Sequence, residues 1–286
     1  MVAAILSDGH ILIEGVPGVA KTLSAKLLAR TLEVPFSRIQ FTPDLMPSDV
    51  LGTSVFNQKD ADFEFHKGPI FSSLVLIDEI NRAPAKTQAA LFEVMEERQI
   101  TMDGETYKLE PPFFVVATQN PIEQEGTYRL PEAQLDRFLF KIEVGYPGNA
   151  EEKQMVQSFH DRKGLNDLTQ ISTVMNASQI AKLQEIVRGL YIETRLINYI
   201  VDLVEATRNS PDLYLGASPR ASINLMTTSK AIAAMRGRDF VTPDDVQFVA
   251  PHVLHHRVML TPEKEMEGST ARQVIEELMN EMEVPR

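Results

Sequence analysis

Residues 15–22, Gly-Val-Pro-Gly-Val-Ala-Lys-Thr, have the types and spacing of a loop that binds the phosphates of a nucleoside triphosphate. The general pattern is Gly, four variable residues, then Gly-Lys and Ser or Thr, between a strand and a helix. There, backbone N–H groups at the helix start point at phosphate oxygens, Lys21 reaches the β- and γ-phosphates, and the Thr22 hydroxyl holds Mg²⁺. Alanine replaces glycine at position 20, which costs little if its φ is negative. The predicted nucleotide-binding positions are Gly15, Val16, Pro17, Gly18, Val19, Ala20, Lys21, Thr22 and Leu23.

Two carboxylates, Asp78 and Glu79, directly follow the apolar run at 74–77. Ligands of open parallel sheets bind beyond the carboxyl ends of the strands. An Asp in that place can hold Mg²⁺ through water, and the adjacent Glu can orient or deprotonate an attacking water. An isolated Asp-Glu pair is also compatible with a solvated turn, but its place after the next buried strand favours a nucleotide site. Thr22 and Asp78 are therefore the predicted metal-binding residues.

Three further polar residues are candidates for a functional role. Asn120, before Pro121, ends an apolar strand and could donate to the γ-phosphate or to the attacking water, although a polar turn is the alternative. Arg137 precedes the last apolar strand, where a surface salt bridge is the alternative. Arg220 lies near the start of a predicted helix in the second half of the chain. It could signal the presence of the γ-phosphate to the second domain, or it could be an ordinary solvated helix residue.

The first half of the chain alternates apolar strands with helical segments, a pattern typical of a parallel sheet covered on both faces. The Asp103-Gly104 pair between β-prone arms at 99–109 predicts a hairpin. Residues 43–70 are rich in Pro, Asp and Gly, and two short strands are possible there, at 55–56 and 63–65. The predicted main strands are 10–14, 37–41, 74–77, 113–117 and 138–142, and the predicted helices are 19–32 and 84–97.

The character of the chain changes after residues 145–148, beyond which the pattern is helical. We therefore predict an α/β nucleotide-binding domain over 1–147 and a helical domain over 148–286. The predicted helices of the second domain are 151–161, 177–188, 193–208, 219–236, 243–250 and 269–282.

Composition excludes several classes of protein. The 286 residues contain no cysteine, which excludes a disulfide framework and a cysteine nucleophile. No apolar run is long enough to span a membrane, and the N-terminus lacks the basic flank of a secretory signal, so we expect a cytoplasmic protein. The net charge of −12 makes non-specific nucleic-acid binding unfavourable.

Taken together, the motifs resemble those of the MoxR family of AAA+ ATPases. The first loop matches the family's form, including its Ala20, and the likeness extends over nearly the whole chain. The segments that carry the resemblance are 15–22, 76–83, 117–121, 130–138 and 217–221.

The resemblance implies a fold and a set of roles. The fold would be an AAA+ P-loop NTPase core, with a parallel sheet sandwiched by helices, and a smaller all-helical lid domain. Residues 46–70 would be the family's insertion in helix 2, and the hairpin at 103–104 the insertion before sensor 1. The implied roles are Walker A for Lys21 and Thr22, Walker B for Asp78 and Glu79, sensor 1 for Asn120, sensor 2 for Arg220, and the trans-acting arginine finger for Arg137.

The resemblance also implies an oligomeric state and a cellular activity. The implied oligomer is a ring, usually a hexamer, that uses ATP and Mg²⁺ to remodel other proteins or help them mature. The client proteins of the family often have von Willebrand factor A domains. A ring agrees with the chemistry, because an arginine supplied by a neighbouring subunit can raise phosphoryl-transfer rates by orders of magnitude.

Other functions remain open at this point. One is a chelatase-type motor subunit that drives metal insertion by a partner, and another is a scaffold with little turnover, although the presence of Glu79 and Arg137 weighs against a dead site. A third is a motor on nucleic acid, since related AAA+ helicases have similar hairpins. The acidic balance and a hairpin tip at 101–106 without Lys or Arg weigh against that motor.

Two departures from the family pattern affect these expectations. The chain starts only a few residues before its first strand, whereas family members usually have a preceding segment that helps hold adenine and ribose, so the completeness of the adenine pocket stays open. Arg129 stands where many relatives have Pro, and it is a rival to Arg137. Arg82 is a second rival, with an interface salt bridge as its other interpretation.

Overall fold

A computed structural model describes residues 1–59, 61–121, 128, 130–163 and 171–285. The strands are β1 (His10–Gly15), β2 (Leu32–Glu33), β3 (Phe36–Gln40), β4 (Gly52–Asn57), β5 (Asp62–Lys67), β6 (Leu74–Asp78), β7 (Gln99–Met102), β8 (Glu105–Lys108), β9 (Phe114–Gln119), β10 (Phe138–Val144), β11 (Met175–Asn176), β12 (Leu213–Leu215) and β13 (Met259–Leu260). The helices are α1 (Val2–Leu6), α2 (Lys21–Thr31), α3 (Pro47–Leu51), α4 (Ala85–Glu97), α5 (Glu132–Leu135), α6 (Asn149–Asp161), α7 (Ala177–Gly189), α8 (Thr194–Asn209), α9 (Pro219–Met235), α10 (Pro243–Leu254), α11 (Pro262–Met266) and α12 (Ala271–Glu281).

The central feature is a five-stranded sheet with the order β10-β1-β9-β6-β3. β6 pairs in parallel with β3 on one side and with β9 on the other. All five residues of β6 are buried, as expected for a strand covered on both faces. The α/β fold class is therefore confirmed, and the five main strands lie where the apolar runs predicted them.

Contact clustering divides the chain into two compact units, which we call the sheet unit and the helical unit. The sheet unit comprises 12–129 and 142–179, and the helical unit comprises 1–11, 130–141 and 180–286. This division differs from a single cut at residue 147, because it assigns 148–179 to the sheet unit and both 1–11 and 130–141 to the helical unit. The functional domain boundary at 147 stays a prediction.

In the sheet unit, the two predicted insertions are both antiparallel hairpins, β4–β5 and β7–β8. Asp103 and Gly104 both have positive φ, as the tight hairpin turn requires. The two hairpins contact each other, because Phe65 stacks on Tyr107 with ring centroids 4.4 Å apart and the Ser54 hydroxyl donates to the Asp103 carboxylate. A short helix, α3, precedes β4 and was not predicted.

In the helical unit, long amphipathic helices bury one face each. The buried residues of α8 follow helical spacing, which places them on one stripe; they are Leu196, Tyr199, Ile200, Leu203, Val204 and Thr207. α9 packs against α8, α10 and α1, and α12 packs against α8 and α10. Pro219 and Pro243 begin α9 and α10, where a missing N–H costs nothing.

None of the helices within the described residues is both long enough and apolar enough to cross a membrane.

Candidate active site

The predicted phosphate-binding loop joins β1 to α2. α2 begins at Lys21, so its first N–H groups face the loop. Gly15 ends β1, and a Cβ there would lie 2.5 Å from the carbonyl oxygen of Val144, so a larger residue cannot be accommodated without a shift. Gly18 has a φ of +85°, a conformation that other residues rarely adopt. Backbone geometry thus accounts for both glycines of the loop.

Ala20 has a φ of 59° and a ψ of 24°, in the left-handed region. The expectation that alanine would cost little rested on a negative φ and is corrected by this finding. A Cβ in the left-handed region lies too close to the following carbonyl oxygen, which costs roughly 1–2 kcal/mol. The loop therefore keeps the backbone shape that the consensus glycine provides, at the expense of local strain.

The loop borders a cavity of about 440 Å³ at the carboxyl ends of β3, β6 and β9. All of its lining residues belong to the sheet unit. The lining residues are Pro17, Gly18, Val19, Ala20, Lys21, Thr22, Leu23, Arg38, Gln40, Asp78, Glu79, Thr118 and Asn120. The structure therefore brings five predicted residues with functional side chains, Lys21, Thr22, Asp78, Glu79 and Asn120, to one cavity.

The Lys21 ammonium spans the loop. Its Nζ donates to the carbonyl oxygen of Gly15 and, at 3.0 Å, to that of Gln119 at the end of β9. These two acceptors hold the ammonium between the loop and the neighbouring strand, at the edge of the cavity. A phosphate entering the cavity would meet a cation that is already oriented.

Asp78 is buried, with 3% of its surface exposed. Its Oδ1 accepts a hydrogen bond from the Thr22 hydroxyl at 2.9 Å and one from the Thr118 hydroxyl at 3.3 Å. Its Oδ2 accepts from Arg38 Nε at 2.7 Å. A buried carboxylate needs such partners, since desolvation of an unpaired charge is costly.

Glu79 is held by two donors from its own chain. Its Oε2 accepts from Gln40 Nε2 at 2.9 Å and from Arg82 Nε at 2.9 Å. Its backbone has a φ of 59°, and its N–H donates to the Thr118 hydroxyl at 3.0 Å. A φ in the left-handed region is uncommon for a residue with a Cβ, and Arg82 contacts a residue of the same subunit.

The remaining predicted residues fall in different places. Asn120 is buried, and its carbonyl oxygen lies 3.5 Å from the Asn81 side-chain amide. Arg137 and Arg220 belong to the helical unit, where Arg220 Nη1 lies 3.8 Å from Asp136 Oδ2. Arg129 lies outside the described residues.

Comparison with known proteins identifies the family. Residues 10–140 match the family described as ATPase family associated with various cellular activities (AAA), and residues 205–278 match the AAA lid domain. Chaperone MoxR1 of Mycobacterium tuberculosis is 44% identical over the whole of this chain and 77% of its own length. The chain belongs to the MoxR family of AAA+ ATPases.

Other relatives agree with this membership. Protein MoxR of Methylorubrum extorquens is 31% identical over 92% of this chain and 82% of its own length. YeaC of Bacillus subtilis is 48% identical over 99% of this chain and 88% of its own. A crystal structure of a protein assigned as an ATPase, from Cytophaga hutchinsonii, superposes with a TM-score of 0.90 at 43% identity, covering 100% of this chain and 88% of that one.

The residues of this MoxR-family site fit the ATP and Mg²⁺ that AAA+ ATPases use. The cavity combines a strained loop, a lysine at its edge and backbone N–H groups at a helix start, which together suit a polyphosphate. Thr22 and Asp78 place a hydroxyl and a carboxylate oxygen 2.9 Å apart, and oxygen ligands of this kind are those that Mg²⁺ prefers.

Sequence reasoning missed Arg38, Gln40 and Thr118. Arg38 and Gln40 are two residues apart on β3, and they donate to the carboxylates of Asp78 and Glu79, respectively. The signal that could have found them is the alternation of a strand next to β6, with Gln40 in register with Asp78. The strand order, which the residue pattern alone does not determine, was the missing information.

Proposed function

We propose that this MoxR-family protein hydrolyses ATP in a Mg²⁺-dependent reaction, as a ring of identical subunits, and uses that reaction to remodel a client protein or help it mature. The observation that carries the proposal is the convergence of Lys21, Thr22, Asp78, Glu79 and Asn120 on one cavity. Each provides a different part of phosphoryl transfer to water.

The roles follow from the contacts. Lys21 and the first N–H groups of α2 bind the phosphates, and Thr22 and Asp78 hold the metal. Mg²⁺, when bound, neutralises charge on the β- and γ-phosphates. Glu79 orients the attacking water once its carboxylate is free of Gln40 and Arg82, and Asn120 contacts the γ-phosphate or that water.

The trans contribution of Arg137 and a hexameric ring are parts of the same proposal. A remodelling role is supported by the name of the relative Chaperone MoxR1. We propose that the client is a protein, for example one with a von Willebrand factor A domain. The turn of the β7–β8 hairpin contains Asp103, and an acidic tip favours a protein client over a nucleic-acid track.

The test is Mg²⁺-dependent ATP hydrolysis measured against protein concentration, with Glu79→Gln as the inactive variant. We expect specific activity to rise with concentration, and Glu79→Gln to bind a fluorescent ATP analogue yet lose about 10²–10⁴-fold in turnover. Glu93→Gln, an exposed change on α4, is the matched control and should leave turnover intact. Equal turnover in Glu79→Gln and the wild type would exclude the proposed site.

A further inference from the structure

Arg257 is a buried cation that the proposed mechanism does not use. Its side chain is fully buried, and its Nε donates to Asp136 Oδ1 at 2.8 Å. The same guanidinium donates to the carbonyl oxygens of Asp136 (3.0 Å), Phe138 and Leu139 (3.2 Å). These residues flank Arg137, so Arg257 holds the backbone on both sides of the predicted arginine finger.

The second carboxylate oxygen of Asp136 makes a different connection. Its Oδ2 accepts from the Ser218 hydroxyl at 2.9 Å and lies 3.8 Å from Arg220 Nη1. Ser218 is the N-cap residue of α9, yet, among the described contacts, its hydroxyl bonds to Asp136 and not to a backbone N–H of that helix. Asp136 therefore joins the turn that carries Arg137 to the start of the helix that carries Arg220.

This connection lies inside one compact unit. Residues 130–141 cluster with α9 and α10 in the helical unit and not with the sheet unit. Burial lowers the pKa of Arg257 to about 10, with Asp136 opposing that effect, so the guanidinium stays charged near neutral pH. A buried, charge-assisted network of this kind is stiff, because breaking it leaves an uncompensated charge in the interior.

We propose that Arg257, Asp136 and Ser218 are positioning residues that fix the Arg137 turn to the start of α9, so that the predicted arginine finger and sensor 2 move as one body. The inference rests on the proposed ATPase with its trans-acting Arg137. A shift of Arg220 with the nucleotide state of one subunit would then displace the Arg137 that serves the next subunit.

The test uses mixed assemblies in which the two roles are separated. A Glu79→Gln subunit cannot turn over its own ATP but still offers its Arg137, and we call it the finger donor. An Arg137→Ala subunit keeps its own site but offers no finger, and we call it the site owner. Mixing the two should restore turnover that neither has alone, because a donor's Arg137 reaches an owner's site.

Arg257→Lys is then placed in one partner at a time. Lysine keeps the charge but cannot donate to Asp136, Phe138 and Leu139 together. We expect restored turnover to fall about tenfold or more when the change is in the donor, since small misplacements of a catalytic group are costly. In the owner, whose Arg137 is already absent, the change can act only through the start of α9 and Arg220, so we expect a smaller loss there than in the donor.

A second variant covers the case in which Arg257→Lys does not fold. Ser218→Ala removes the bond from α9 to Asp136 without removing a buried charge. In the donor, whose own site is dead, it can lower turnover only through Arg137, and we expect a severalfold loss. Arg238→Lys, in another arginine–aspartate pair of the helical unit, is the matched control and should have no effect in the donor.

The outcomes separate the two ideas. The inference would be overturned if Arg257→Lys lowered the restored turnover equally in donor and owner. It would also be overturned if Arg238→Lys in the donor lowered turnover as much as Arg257→Lys does, since either result would show that the cluster is merely structural. Full restored turnover with Arg257→Lys and Ser218→Ala in the donor would overturn it too, while leaving the trans arginine intact. If the unmodified donor and owner restore no turnover, although each binds ATP and they co-assemble, the trans arginine itself is wrong, and the coupling falls with it.

Discussion

At the scale of single residues, Ala20 shows how a phosphate-binding loop can depart from its consensus. The chain keeps a left-handed backbone at this position although its residue has a Cβ. The surrounding loop, fixed by β1 and the start of α2, determines the conformation, and the side chain adapts to it. Local strain at functional sites persists only when the neighbouring structure imposes it.

Ala20→Gly should therefore stabilise the protein. Relief of the left-handed strain outweighs the greater flexibility of glycine in the unfolded chain, and we expect a gain of about 0.5–1 kcal/mol in the free energy of unfolding. Urea unfolding measures it. The control is Ala29→Gly inside α2, where the same change should cost about 1 kcal/mol. Equal losses at both positions would contradict the positive φ at Ala20.

His256 provides a second prediction at this scale. Burial, followed by the charge of Arg257, lowers the pKa of His256 well below 6.5. The unfolded chain then binds a proton near 6.5 that the folded protein does not bind. The free energy of unfolding should therefore fall as the pH drops below about 6.5, with a slope of up to about 1.4 kcal/mol per pH unit from this residue.

Urea unfolding between about pH 7.5 and pH 5.5 checks this dependence. His256→Asn cannot take up that proton, so its stability should change less steeply over this range. The same replacement at His160, which is exposed, should leave the slope unchanged. Parallel curves for the wild type and His256→Asn would show that another group carries the pH dependence.

At the scale of elements, α10 is held at its N-terminus as well as along its buried face. Asp245 lies in the first turn of α10 and is fully buried. Its carboxylate accepts from the Thr242 N–H at 3.0 Å and from Arg236 and Arg238 at 2.7 Å. One carboxylate thus caps α10 and ties it to the residues that follow α9.

Asp245→Asn should therefore be strongly destabilising. It leaves Arg236 and Arg238 without their anionic partner and weakens the N-terminal cap of α10. We expect the free energy of unfolding to fall by about 2–4 kcal/mol, less than for a fully buried ion pair because the two arginines are partly exposed. The midpoint of thermal or urea unfolding is the measurement. Asp244→Asn, at the neighbouring exposed position, should change stability by less than about 0.5 kcal/mol. Similar effects of the two changes would exclude this role for Asp245.

At the scale of the whole molecule, the proposed functional residues belong to two units. The proposed phosphate and metal ligands lie in the sheet unit, whereas Arg137 and Arg220 belong to the helical unit. An arginine from a neighbouring subunit would make turnover depend on assembly, because a lone subunit lacks that charge in the transition state.

Arg137→Ala should bind ATP normally but turn it over about 10³-fold more slowly, as expected for loss of an arginine finger. Binding of a fluorescent ATP analogue and steady-state hydrolysis separate the two effects, and sedimentation checks assembly. Arg195→Ala, at an exposed arginine of α8, should hydrolyse at the wild-type rate. Normal turnover in an assembled Arg137→Ala protein would remove Arg137 from the mechanism.

Much of this could be predicted from the residues alone. The main strands, the β7–β8 hairpin and the polar residues at the ends of β6 and β9 depend on local pattern: apolar runs, an Asp-Gly turn and polar residues at strand ends. The contact between the hairpins could not be predicted, because it joins residues distant in the chain. The helix α3 and the positive φ of Ala20 were not predicted either. The role of Arg137 came only from the family resemblance, whereas the position of Arg220 near a helix start had already made it a candidate.

Residue types and spacing alone indicated the proposed chemistry: one lysine and one threonine after a glycine loop, two carboxylates after a buried strand, and a resemblance to the MoxR family. The folded structure was needed to show which other side chains contact those carboxylates. Arg38 and Gln40 reach Asp78 and Glu79 because β3 lies beside β6 in the sheet. The physical reason is that strand order and buried charge pairing join residues far apart in the chain, and neither leaves a periodic trace in the sequence.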